Sequence, residues 1–143
     1  MPRLRVDLPE ESLGVIFDGE HLRRVLVNLL DNARRHASKL PGAVRLKLSA
    51  KDDQQVVLSV FSDGTPIPAD VERYLFEPFF STRSRGTGLG LYICRELCER
   101  YGARIDYRLG EERDPCRNEF FVAMRRRALP DSEVAEARLH LTS

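Results

Sequence analysis

The sequence lacks the marks of several protein classes. It has no excess of charge: 23 Lys and Arg stand against 22 Asp and Glu, for a net charge of +1 over 143 residues. That balance gives no footprint for nucleic acid or for a membrane surface. No apolar run approaches the ~20 residues that a bilayer-spanning helix needs, and no signal-peptide pattern opens the chain. Cysteines number three. An odd count argues against a disulfide framework and fits a reducing compartment. Cys94 and Cys98 could share one helix face, but Cys116 stands apart, the three histidines are scattered, and a zinc site needs four ligands. Buried or inert thiols are the expectation. Internal repeats and low-complexity tracts are also missing. Met1-Pro2 reads as the start of a trimmed piece of a longer chain.

What is present is one domain's worth of patterned segments, long enough to bury a core. "RLRVDL" and "LGVIF" read as short strands separated by "PEES". Asp18 sits where an N-cap belongs, ahead of a helix from Glu20 to about Ser38. Leu22, Val25, Leu26, Leu29, Leu30, Ala33 and Ala37 recur along it at three- and four-residue steps, and "PG" at 41–42 is expected to end it. "AVRLKLSA" and "QVVLSVFS" alternate as a hairpin joined by "KDDQ". "DGTPIP" (63–68) is a turn. A short helix near 69–75, a helix from about Gly88 to Tyr101, and strands in "ARIDYRL" and "EFFVAMR" complete the domain. These elements predict an α+β fold, a two-layer sandwich in which a mixed sheet of about five strands is covered on one face by about three helices. The domain is expected over 1–127, with a C-terminal tail over 128–143.

Two stretches carry candidate chemistry. "RSRGTGLGLYIC" (84–95) sets Gly86, Gly88 and Gly90 against the start of a helix, where bare backbone N–H groups make an anion site. Arg83 and Arg85 add point charges beside it. On the first long helix, Asn28, Asn32 and His36 fall four apart and share a face, with Arg35 beside them. Asparagine is a poor helix former, so two of them mid-helix call for a reason. An ordinary solvated face is one. The other is a row of amides aimed at a metal-bound triphosphate, since Mg²⁺ takes oxygen ligands and keeps several waters.

With "NLLDNA" (28–33), "DGTPIP" (63–68), "FEPFF" (76–80) and "GTGLGL" (86–91) in this order, the chain resembles the ATP-binding domain of sensor histidine kinases. These stretches look like that domain's N, G1, F and G2 boxes, within the GHKL superfamily and its Bergerat fold. "LYICRELCERYGARIDYR" and the short step from F to G2 box look closest to the NtrB/PilS-like group. The resemblance runs from about Leu4 to Arg125. It implies that ATP and Mg²⁺ are the cofactors, with Asn32 as the Mg²⁺ ligand and Asn28 contacting the phosphate region; these two are the implied catalytic residues. It places Arg35 toward the phosphates and His36 on the adenine side. Gly86, Thr87, Gly88, Leu89 and Gly90 would close over the phosphates, and Phe76, Phe79 and Phe80 would pack the base of the lid, as well as serving as core aromatics.

The G1 box departs from the family's Asp-x-Gly-x-Gly. Ser62 falls on the adenine-binding Asp, Asp63 is its neighbour, Gly64 matches, and Pro66 replaces the last glycine; Ile67 completes the box's contribution to the ATP site. The Gly-Thr of the last box is replaced around Arg117-Asn118. A one-residue step turns a strand side chain to the other face, so only a bulge would let Asp63 stand in for Ser62.

The resemblance implies a cytoplasmic catalytic domain that passes the ATP γ-phosphoryl to a histidine on a separate dimerisation domain, upstream of a response regulator, with no nucleic-acid partner. The fragment is expected to be soluble, and the parent dimeric and membrane-anchored. His21, His36 and His140 lack the neighbours of a phospho-acceptor; His21 is expected on the exposed face of the first helix and His140 in the tail. A degenerate GHKL module acting in regulation or protein interaction is the alternative. An ATPase that activates water is disfavoured, because Asn28 stands where such enzymes carry a Glu base.

Overall fold

A computed structural model describes residues 3–80 and 89–128. In chain order the elements are β1 (Leu4–Asp7), β2 (Gly14–Val15), α1 (Gly19–His36), β3 (Val44–Ala50), β4 (Gln55–Ser62), α2 (Ala69–Glu72), α3 (Gly90–Arg100), β5 (Arg104–Leu109) and β6 (Asn118–Arg127). The expected mixed sheet is there. β1 runs parallel to β3 with Leu4 opposite Val44, and β3–β4, β4–β6 and β5–β6 are antiparallel. The strand order is β1-β3-β4-β6-β2, with β5 also pairing with β6. The two-residue β2, opposite Arg126 and Arg127, makes a sixth strand beyond the five of the main sheet.

Strand parity divides the sheet into two faces. Val56, Leu58 and Val60 on β4, with Phe120, Val122 and Met124 on β6, are buried in one core with the helices. α1 lays Val25, Leu29 and Ala33 into it, and α3 lays Cys94, Leu97 and Cys98. Leu29 is fully buried, a contribution of about 1.5–3 kcal/mol for a side chain of its kind. The other face is sealed by charge. Glu119, buried, accepts from Nε and Nη2 of Arg108 and, at 2.6 Å, from the Ser59 hydroxyl, while Arg104 and Arg108 lie over the Phe121 ring.

The Asp18 carboxylate caps α1 by accepting from the His21 N–H at 3.1 Å. The helix ends at His36, ahead of the expected stop near Ser38 and well before Pro41. Tertiary contacts set that end. The Arg3 guanidinium donates to the Arg34 and Ser38 carbonyls, each at 3.1 Å, and to that of Ala37 at 3.5 Å. The Asp63 carboxylate accepts from the Ser38 N–H at 2.8 Å and from its hydroxyl. Both anchors come from distant parts of the sequence, so the local pattern could not show them.

Candidate nucleotide site

Asn28, Asn32 and His36 stand one turn apart on α1 and are all half-buried. The Cys94 thiol of α3 donates to the Val25 carbonyl of α1 at 3.7 Å, with the Asn28 side chain as a neighbour. At the start of α3, a Cβ built on Gly90 would stand 3.6 Å from Asn28 Oδ1. The start of α3 thus lies in ordinary van der Waals contact with α1, beside an amide oxygen. Asn32 makes no side-chain hydrogen bond among the described residues, so its amide is available to a ligand. Arg35 lies exposed on the same helix, its Nε donating to the Asp31 carbonyl at 3.5 Å.

Burial pushes the Cys94 thiol up to about 12, its neighbour Cys98 adds to the rise, and Asn28 and the charge of Arg24 offset it only in part. Burial likewise raises Cys98 to about 12. Buried thiols held so far from ionisation are poor nucleophiles at neutral pH. All three cysteines are buried, as expected. Among the described residues there is no cluster of three His, Cys, Asp or Glu suited to a metal.

Toward the C-terminal end of α1 the polar groups are committed to one another. β3 and β4 stay in register up to Ser62 opposite Val44, with no bulge. Ser62 therefore has the parity of the buried Val60 and faces the helix layer. Asp63 is held by Ser38 instead. Asn118, directly across β6 from Ser62, donates from Nδ2 to the Gly64 carbonyl at 2.6 Å and to the Ser62 carbonyl at 3.3 Å. Its Oδ1 accepts from the Tyr107 hydroxyl, which in turn accepts from the Ile67 N–H at 3.3 Å. Burial raises the Tyr107 pKa, so the phenol stays protonated and can donate. Gly64 has its own constraint: a Cβ there would come within 2.2 Å of the His36 carbonyl oxygen. The turn "DGTPIP" is thus seated on the last turn of α1.

Of the other expected site residues, Leu89 is the N-cap of α3 and half-buried, while Arg83, Arg85, Gly86, Thr87 and Gly88 lie outside the described residues, as does His140. Two expectations need correcting. His21 is half-buried rather than on an open face, because its Nδ1 shares a hydrogen bond with the Tyr101 hydroxyl, whose ring stacks on Phe17 at 4.4 Å. Phe79 is no core aromatic: it is 77% exposed, with a positive φ of 64°. Phe76 does enter the core, edge-on to Phe120, and Phe80 stacks on Tyr74. Sequence reasoning missed Tyr107 altogether and saw Asn118 only as a departure; its strand position opposite Ser62 was the available signal.

Residues 17–127 match the family described as "Histidine kinase-, DNA gyrase B-, and HSP90-like ATPase". The chain belongs to this family. As a histidine-kinase-type ATP-binding domain it is 44% identical over 117 residues to the sensor protein kinase PilS of Pseudomonas aeruginosa, which covers 80% of this chain and 22% of the relative. It is 34% identical over 111 residues to the C4-dicarboxylate transport sensor protein DctB of Rhizobium meliloti, covering 77% of this chain and 18% of that one. The chain thus spans about a fifth of the length of these relatives. Among solved structures, the mycobacterial sensor histidine kinase MprB superposes with a TM-score of 0.75 at 25% identity, covering 89% of this chain and 85% of that one. The catalytic domain of histidine kinase ThkA, in a nucleotide-free form, gives 0.72 at 29%, covering 86% and 79%.

The donor set of this ATPase domain fits a magnesium-bound triphosphate. Its site end carries the neutral amide oxygens of Asn28 and Asn32 beside the start of α3. Mg²⁺ is held in that manner, by few protein oxygens together with phosphates and water.

Proposed function

We propose that this domain binds Mg²⁺-ATP along α1 and donates the γ-phosphoryl to a histidine on a separate dimerisation domain of its parent, from which a response regulator is served. The observation that carries the reading is the half-buried Asn28–Asn32 face of α1, which meets the start of α3 at Gly90. In this reading Asn32 holds the metal through its carbonyl oxygen, and the metal neutralises charge on the transferring group. Asn28, beside the start of α3, orients the phosphates. Arg35 and the loop with Arg83, Arg85, Gly86, Thr87 and Gly88 contribute charge and backbone donors, with Leu89 and Gly90 at its end. His36, Ser62, Asp63, Gly64 and Ile67 form the base end. Such transfer needs positioning and charge neutralisation rather than covalent help from the protein. An amide at Asn28 cannot deprotonate water, which favours transfer to an acceptor over hydrolysis. We place the domain in the cytoplasm, where ATP and a regulator are available.

A second reading, a nucleotide-poor regulatory module, draws on one feature: Ser62 is a hydroxyl where the family carries a carboxylate, and the polar groups around it are spent on each other. Calorimetric titration with Mg²⁺-ATP separates the two. Saturable binding that weakens without Mg²⁺ supports the kinase reading, and an absence of heat with either ATP or GTP supports the module.

A further inference from the structure

Beyond Asn28 the polar face of α1 continues toward its N-terminus into an open groove of about 460 Å³, bounded by Ile93 of α3 and edged by Glu20, His21, Arg23, Arg24 and Asn28. Arg24 stands one turn before Asn28, on the same side of the helix. It makes no hydrogen bond or ion pair among the described residues. Its charge is nevertheless felt at the Cys94 thiol of α3. A guanidinium beside an amide row, with no carboxylate paired to it, suits an anionic ligand; planar guanidinium donors match phosphate oxygens in shape as well as charge.

The helix axis sets the order of contacts. The base end lies where Gly64 meets His36, and Asn32, Asn28 and Arg24 follow at about 6 Å intervals, placing Arg24 about 18 Å from His36 at 1.5 Å per residue. Arg24 is therefore the outermost cation on the Asn28 side of α1 among the described residues. Resting on the ATP reading above, we infer that Arg24 engages the terminal phosphoryl group and gives the site its preference for a nucleoside triphosphate over the diphosphate. Glu20, one turn further out, repels the same anion and confines it to the Asn28 side of Arg24. His21, on the same wall, is engaged by Tyr101.

The test compares a non-hydrolysable β,γ-imido ATP with ADP, both with Mg²⁺, by calorimetry on wild type, Arg24→Gln, Arg24→Lys and Arg23→Gln. One lost hydrogen bond to a charged group corresponds to about a tenfold change. Arg24→Gln should lose about tenfold for the triphosphate and at most about twofold for ADP, Arg24→Lys should lose less, and Arg23→Gln should keep the wild-type ratio. Arg24 is exposed, so the thermal midpoint should not move. Equal losses for both nucleotides, no loss, or the same loss in Arg23→Gln would overturn the inference while leaving the ATP reading intact. Wild type binding neither nucleotide would instead sink the ATP reading, and this inference with it.

Discussion

The two ends of the α1 face are built on opposite principles. At the Arg24–Asn28–Asn32 end, polar side chains are half-buried or exposed, and Arg24 and Asn32 have no protein partner among the described residues. At the Ser62–Gly64 end nearly every polar group is already used: Asp63 on Ser38, Asn118 on Gly64 and Ser62, Tyr107 on Asn118. Unused polar groups are what a ligand can exploit; used ones stabilise the fold. The difference teaches that affinity here should come mainly from the phosphates and metal, with the base weakly discriminated.

Five experiments would break or sharpen that contrast. The largest effect is expected at Asn32. Asn32→Ala should weaken Mg²⁺-ATP binding by about a hundredfold, the upper range for a lost contact to a charged group, yet leave metal-free ATP binding nearly unchanged. Equal loss in both titrations would make Asn32 structural and erase the distinction between the ends. Gly64→Ala comes next, as a change in stability. With backbone oxygen in the way, overpacking should cost about 1–3 kcal/mol, read as a lower urea midpoint with an unchanged slope. An unaltered midpoint would mean the turn is not seated on α1.

At the base itself, Ser62→Asp should raise ATP affinity by about tenfold and create a preference over GTP, because a carboxylate accepts from the 6-amino group and repels the 6-oxo group. Asp63→Ala should lower stability by about 1 kcal/mol through loss of the Ser38 bonds, with the ATP/GTP ratio as in wild type. Should Asp63→Ala abolish ATP binding in a chain that stays folded, Asp63 and not Ser62 reads the base. The smallest effect concerns pH. Cys94 and Cys98 are raised in the fold from 9.0 to about 12. Their contribution is whole below about pH 9 and is lost as pH climbs toward 12, where the unfolded thiols ionise first. Urea midpoints should be flat from pH 6 to 8 and fall above 9, less steeply in a Cys94→Val, Cys98→Ala double variant. Equal slopes would show that the thiols are not buried as described.

Much of this architecture was legible in the sequence because the deciding interactions are local or periodic. The Asp18 cap lies three residues from its donor, the α1 stripe repeats every turn, and the β3–β4 hairpin alternates on either side of "KDDQ". The amide face of α1 was legible for the same reason: Asn28 and Asn32 are neighbours by helix geometry alone. What escaped were couplings across the sheet. Arg3 capping the end of α1, Asn118 reaching Gly64, and Tyr107 reaching the Ile67 backbone join segments dozens of residues apart, and no local pattern encodes their meeting. His21 was misjudged for that reason too, since Tyr101 approaches it from the far end of α3.

One consequence of these hydrogen bonds is optical. The chain has no tryptophan and four tyrosines, so beyond the shorter-wavelength bands of its seven phenylalanines the near-ultraviolet signal belongs to phenols. Tyr107 sits in the base network, and Tyr101 is tied to His21 on the wall of the Arg24 groove. Each end of the site thus carries its own chromophore. Tyr101→Phe and Tyr107→Phe, compared by near-ultraviolet circular dichroism with the signal of free nucleotide subtracted, would let a titration report separately when each end becomes occupied.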